Sequence, residues 1–140
     1  MKKRIIIFGG ANTGKTRLAK QMALAFDNPV FISGRKLNES RFPYEELESD
    51  NDLMIIDNVT TGIISLKPSF LVSETLIINK EIFTTPKTII TIECDEEFID
   101  ELPKAIKLRS IFIKCEADHS DTMPALQANR YYTQNEILNA

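Results

Sequence analysis

Apolar residues in this chain come in short unbroken blocks, separated by amphipathic or polar stretches. "RIIIF" (4–8) lacks the alternation of a half-exposed strand, so it reads as a strand buried on both faces. "RLAKQMALAF" (17–26) puts Leu18, Met22 and Ala25/Phe26 on one stripe, the mark of an amphipathic helix. "PVFIS" (29–33) is a second strand, ended by Gly34. "FPYEELES" (42–49) is a short helix opened by Pro43, which suits a first turn. "DLMIID" (52–57) is a third buried strand, and "KTIITIEC" (87–94) is a fourth, rich in β-branched residues. In "DEEFIDEL" (95–102) Asp95 can cap a helix, acids fill its first turn, and Pro103 marks its end. "SIFIKC" (110–115) is a fifth strand. Strands alternating with helices predict an α/β domain built on a parallel sheet.

Two segments are less patterned. "TTGIISLKPSFLVSETLIINKEIFTTP" (60–86) suits either a helix around Ser69–Thr75 or a hairpin with arms at Leu76–Asn79 and Glu81–Thr85. The tail from Asp118 is polar, and Thr122-Met-Pro124 resembles a helix start. The expected division is a domain over 1–117 and a partly helical tail over 118–140, docked on it.

The chain has 140 residues, enough for one domain with a core. Its 43% hydrophobic and 26% charged content is ordinary for a globular protein. No apolar stretch approaches the ~20 residues of a membrane helix. The basic start "MKKRIIIFGG" has the outline of a secretion signal, but its apolar run is too short and a glycine motif stands where cleavage would fall. A cytoplasmic protein with no membrane partner is expected. Cys94 and Cys115 are too few for a disulfide framework and read as reduced thiols. His119 is the one histidine, so no histidine-based metal site is readable. A net charge of -3 argues against tight autonomous binding of nucleic acid, although Arg35, Lys36 and Arg41 could form a basic loop.

The distinctive chemistry lies in "GGANTGKT", from Gly9 to Thr16. Gly9, Gly14, Lys15 and Thr16 match G-x-x-x-x-G-K-[ST], a chance match on the order of one in 200 for a chain this long. The match also joins a buried strand to an amphipathic helix, as a phosphate-binding P-loop does. Glycines let the backbone wrap a phosphate with its N–H groups inward. The helix opening near Lys15 adds the positive end of its dipole. The expected nucleotide cradle is Gly9, Gly10, Ala11, Asn12, Thr13, Gly14, Lys15, Thr16 and Arg17. Lys15 can reach the β- and γ-phosphates, and the Thr16 hydroxyl can bind Mg²⁺. "DLMIIDN" then ends a strand in Asp57, a position from which a carboxylate can hold that Mg²⁺. Thr16 and Asp57 are the candidate metal residues, and ATP with Mg²⁺ the expected ligands.

The chain resembles P-loop NTPases of the helicase and AAA+ class, and within them the ATPase core of superfamily 3 helicases. "GGANTGKT" looks like their cradle. "RFPYEELESDNDLMIIDN" resembles the segment leading into their acidic strand, and "INKEIFTTPKTIITIEC" their basic stretch and sensor strand. "ELPKAIKLRSIFI" resembles their closing segment, where an arginine before the fifth strand acts as an arginine finger. The likeness covers roughly residues 4–115. It implies a three-layer sandwich whose five-stranded, mainly parallel sheet has the order 5-1-4-3-2. It implies catalytic roles for Lys15, Asp57 and Arg109, the last supplied to a neighbouring subunit of a homo-oligomer; the alternative for Arg109 is a solvated arginine before a strand. It also makes Lys80 and Lys87 candidate nucleic-acid contacts; the alternative for both is a solvated lysine.

The chain departs from that family in three places. Asn58, not an acid, follows Asp57, and Glu93 stands near the family's usual sensor Asn. The resemblance does not extend to the helicases' origin-binding and oligomerisation domains. If strand four lies beside strand three, Glu93 and Asn58 are the usual pair with members exchanged. Glu93 would then activate the attacking water and Asn58 would sense phosphate; otherwise Glu93 is an exposed strand-end acid. Three functions fit: a Mg²⁺-dependent ATPase of phage or mobile-element replication, a nucleotide-binding regulatory module acting through a protein partner, or a small-molecule phosphotransferase. The last wants G-x-x-G-x-G-K, and Asn12 occupies its middle glycine. No guanine-reading Asn/Thr-Lys-x-Asp stretch is present, since "IINKEI" (77–82) breaks the pattern.

Overall fold

The computed structural model describes residues 4–36, 47–66, 75–78 and 81–116. Five strands form one all-parallel sheet: β1 (Arg4–Gly9), β2 (Pro29–Ser33), β3 (Leu53–Val59), β6 (Lys87–Glu93) and β7 (Ser110–Cys115). Their order is β2-β3-β6-β1-β7, which is 5-1-4-3-2 when the five are counted in sequence and read from the other edge. The expected α/β architecture and strand order both hold. Between β3 and β6, β4 (Thr75–Ile78) and β5 (Glu81–Thr84) pair antiparallel as a separate hairpin. That resolves the strand part of 60–86 in favour of the hairpin; the alternative helix falls mostly on residues outside those described.

Each central strand is buried on both faces, as its unbroken apolar run requires, and the two faces take alternate residues. Ile5, Ile7, Leu53, Ile55 and Ile89 point to one side. There they meet Leu18, Ala19, Met22 and Ala23 of α1 (Lys15–Ala23), with Phe26 just beyond it. Ile6, Phe8, Ile32, Met54, Ile56, Ile90 and Ile92 point to the other side. They meet Ile63 and Ile64 of α2 (Thr61–Leu66), Ile99 of α3 (Glu96–Asp100) and Ile106 of α4 (Lys104–Leu108). The result is three layers with the sheet in the middle.

α3 begins as the sequence indicates: the Asp95 carboxylate accepts from the Phe98 amide at 2.9 Å, and Glu96 and Glu97 fill the first turn. α2 and α4 carry no comparable sequence signal. α2 includes Gly62 and two isoleucines, so its helicity depends on packing Ile63 and Ile64 against the sheet. Thr60 supports its start by accepting from the Ile63 amide. The helix expected over 42–49 is not seen where it can be judged. Residues 47–50 run as irregular chain into a turn, with Leu47 in the core, and 42–46 lie outside the described residues. The expected tail over 118–140 also lies outside them.

Lys87 corrects one expectation. It opens β6 opposite Leu53 and is 1% exposed, so it is neither a solvated lysine nor a surface contact for nucleic acid. Lys80 lies outside the described residues. The thiols of Cys94 and Cys115 are free. Both flank Gly9, with β1 between them; two strand spacings of roughly 4.8 Å separate their backbones, too far for a disulfide.

Candidate functional site

In a parallel sheet all strands end on the same edge, and that edge is where ligands bind in open α/β folds. Here it gathers Gly9 of β1, Ser33 of β2, Asp57 to Val59 of β3, Glu93 of β6 and Cys115 of β7. The chain leaves β1 through Gly9–Gly14 and enters α1 at Lys15.

The loop's shape follows from its residues. Gly9 has φ +156°, and a Cβ there would lie 2.0 Å from the Cys115 carbonyl oxygen on the adjoining strand. Only glycine lets β1 run that close to β7 as it turns out of the sheet. Asn12 and Gly14 are both left-handed, at φ 58° and 87°. Asn is one of the few side-chain-bearing residues that tolerate that region. Thr13 ties the loop by donating its hydroxyl hydrogen to the Gly10 carbonyl at 2.9 Å. Lys15 is buried, and its ammonium donates to the same carbonyl at 2.5 Å and to Thr13 Oγ1 at 3.3 Å. The helical ladder starts at the Leu18 amide, which donates to the Gly14 carbonyl, so the amides of Lys15, Thr16 and Arg17 have no partner within the helix.

Across from the loop, β3 is made irregular. Its pairing with β6 shifts register between Ile56 and Val59, and Asn58 sits at φ 60°. Such a bulge re-aims a side chain. Here it turns Asp57 toward α1. Thr16 Oγ1 lies 2.9 Å from Asp57 Oδ1 and 3.1 Å from Oδ2. Thr91 Oγ1 donates to Oδ1 at 2.5 Å and accepts from the Asn58 amide at 2.9 Å. Asn58 Nδ2 adds a long contact of 3.4 Å to Oδ2. The carboxylate is therefore oriented from three sides.

Thr91 is a site residue that motif reading misses. It is fully buried in an aliphatic strand, and its hydroxyl holds both the carboxylate and the bulge. The one available signal was a hydroxyl side chain two residues before the strand-end Glu93. β-Branched residues are common in strands, so Thr91 did not stand out.

Residues Ala11–Arg17, Arg35, Asn58 and Glu93 enclose a cleft of about 570 Å³. The sheet thus brings Glu93 and Asn58 to one cleft with the loop. Lys15, Arg17 and Arg35 contribute cationic side chains to that lining against the one acid, Glu93. A neighbouring hollow of about 700 Å³ continues past Gly9 and Gly10, along Glu93, Cys94, Asp95 and Lys114. Burial, then the charge of Asp95, pushes the Cys94 thiol up to about 11, although Lys15 opposes the shift. Burial raises Cys115 as well. Burial therefore keeps both thiols protonated further into alkali than an ordinary cysteine.

Arg109 is not part of this assembly of side chains within one chain. It closes α4 just before β7, and its carbonyl accepts from the Arg4 amide at 3.0 Å. That is the start of β1, whereas the loop follows its end; five residue steps separate them by about 17 Å.

The donor set suits a hard divalent cation. Thr16 and Asp57 bring a hydroxyl and a carboxylate together from positions 41 residues apart. Mg²⁺ is commonly held by one or two protein oxygens together with phosphate oxygens and water. Among the described residues no group of three or more His, Cys, Asp or Glu side chains could hold a metal by itself. Nor does any helix among them have the length and apolar character to cross a membrane.

No protein-family model matches the chain, and no curated protein does. Solved structures do. An A-form apo structure of the NrS-1 C terminal region aligns with a TM-score of 0.51 at 18% identity, over 98% of this chain and 33% of that one. A second apo structure of that region aligns with a TM-score of 0.54 at 18% identity, over 98% and 34%. At this identity the likeness shows the fold alone, and the chain spans about a third of the length of those structures.

Proposed function

We propose that the cleft binds Mg²⁺·ATP and that the chain hydrolyses it, as a P-loop NTPase of the helicase and AAA+ class. The observation that carries this reading is the contact between Thr16 and Asp57. It joins the first turn of α1 to the C-terminal part of β3, two strands away from β1, at one oxygen-rich point, beside a cleft whose lining includes Lys15, Arg17 and Arg35.

In this account the loop amides and Lys15 hold the β- and γ-phosphates, with Arg17 at the edge of the cradle. Thr16 and Asp57 would hold Mg²⁺, which when bound neutralises charge on the β- and γ-oxygens. Glu93 orients a water and accepts its proton. The water oxygen bonds to the γ-phosphorus as the bond from that phosphorus to the β–γ bridging oxygen breaks. ADP and inorganic phosphate leave. Asn58 contacts the γ-phosphate from the opposite wall. Thr91 acts through Asp57 by fixing its carboxylate. Arg109 lies at the opposite edge of the sheet from its own loop, so in this account it serves a neighbouring copy's site in a homo-oligomer. The superfamily 3 resemblance suggests replication of phage or mobile elements as the setting.

Calorimetric titration of ATP in Mg²⁺ tests the nucleotide claim. The native chain binds one ATP, and Lys15→Ala loses that binding while melting near the native temperature. Equal affinity in the two proteins would overturn the cradle assignment.

A further inference from the structure

We infer that Arg35 is a second, in-chain phosphate-contacting cation of this cleft, directed at the terminal phosphate of a bound triphosphate. This rests on the ATP-binding reading above. The loop motif does not include Arg35, and it lies on a different element.

Its position is fixed by Gly34. A Cβ at Gly34 would lie 2.6 Å from the Asp57 carbonyl oxygen, 2.6 Å from the Val59 amide nitrogen and 2.7 Å from the Asn58 carbonyl carbon. The backbone after β2 is therefore pressed against the bulged end of β3. A 3₁₀ turn, Gly34–Lys36, begins at that contact. Arg35 is the next residue, and it lines the cleft beside Asn58 and opposite the loop. That contact fixes the backbone at Arg35, because the close approach needs a glycine immediately before it.

The location also selects the phosphate. Loop amides and Lys15 serve the inner phosphates and reach outward to the last one. Arg35 follows β2, whose last residue Ser33 pairs with Asp57 of β3, and it shares the cleft lining with Thr16 and Asn58. A guanidinium there meets the γ-phosphate of ATP and has no counterpart to meet in ADP. Its planar fork suits two phosphate oxygens at once.

Affinities for ATP and ADP in Mg²⁺, measured by calorimetry on the native chain, Arg35→Ala and Arg35→Lys, test this. Arg35→Ala is expected to weaken ATP roughly ten- to hundred-fold while ADP affinity stays within about twofold, because a charged hydrogen-bond partner is lost for one ligand only. Arg35→Lys should fall between, keeping charge and losing the fork. The side chain is exposed, so unchanged melting of both variants separates this effect from unfolding. Equal loss for ATP and ADP, or no loss for either, overturns the inference while leaving the cradle intact. Failure of the native chain to bind either nucleotide overturns the cradle and Arg35's role together.

Discussion

The Thr16 hydroxyl lies within 3.1 Å of both carboxylate oxygens of Asp57. One residue lies in the first turn of α1 and the other near the C-terminal end of β3, so the contact records how the sheet edge and the loop are assembled. Thr91 completes it from β6, the strand between β3 and β1.

Thr91→Val removes a buried hydroxyl without changing the shape of the side chain. The Asn58 amide loses its acceptor and Asp57 loses a donor. A stability loss of about 1–3 kcal/mol is expected from denaturant unfolding. The Mg²⁺ concentration needed for half-maximal phosphate release should also rise, and Thr91→Ser should restore both. A variant that melts lower with an unchanged Mg²⁺ requirement would leave Thr91 with a structural role only.

Gly9→Ala places a methyl 2.0 Å from the Cys115 carbonyl oxygen at a backbone angle that alanine rarely adopts. Backbone cannot move aside as a flexible side chain can. The substitution should lower the melting temperature by many degrees, or abolish soluble expression, and shift resonances in both β1 and β7. Gly10→Ala meets only Thr13 Cγ2 at 4.0 Å and should be far milder. Equal melting of the two variants would contradict the packing described here.

Cys94 and Cys115 predict a pH effect. A thiol whose pKa is raised stays protonated further into alkali, and the thiolate is the nucleophile. With Cys94 near 11, its alkylation at pH 8 should run at about a hundredth of the rate of an ordinary exposed thiol. The rate should keep rising up to about pH 11. Mass spectrometry after timed iodoacetamide treatment reads this directly, and rapid labelling of Cys94 at pH 8 would contradict it.

Arg109 predicts complementation. It stands at the far end of β1 from its own loop, so any catalytic role is played in a neighbouring copy. Arg109→Ala and Lys15→Ala should each be inactive alone. Mixed, they should recover part of the native phosphate release, because some interfaces pair an intact loop with an intact arginine. No recovery over a wide concentration range would remove Arg109 from the mechanism.

Much of this arrangement was legible in the residues. Five apolar runs gave the five sheet strands, because a strand buried on both faces leaves a continuous signature. The glycine motif located the loop, and the strand ending in Asp57 located its partner. What stayed hidden depends on contacts distant in sequence. Thr91 matters only because β6 lies beside β3, and Gly34 only because the turn after β2 meets the bulge at Asn58. Helices α2 and α4 are short and draw their stability from the sheet rather than from caps or propensity. The bulge was invisible because a register shift is a property of two strands together.

The proposed function places Thr16 and Asp57 as the metal-binding half of an ATP-hydrolysing site. Steady-state phosphate release from ATP in Mg²⁺, compared between the native chain and Asp57→Asn over a range of protein concentration, tests it most directly. Asn keeps the size of the side chain and an acceptor for Thr16 but removes the charge. Release by the native chain is expected, with a rate per chain that rises with protein concentration, and a loss of about a hundredfold or more in Asp57→Asn. No release above the buffer blank, or equal release from both proteins, would contradict it.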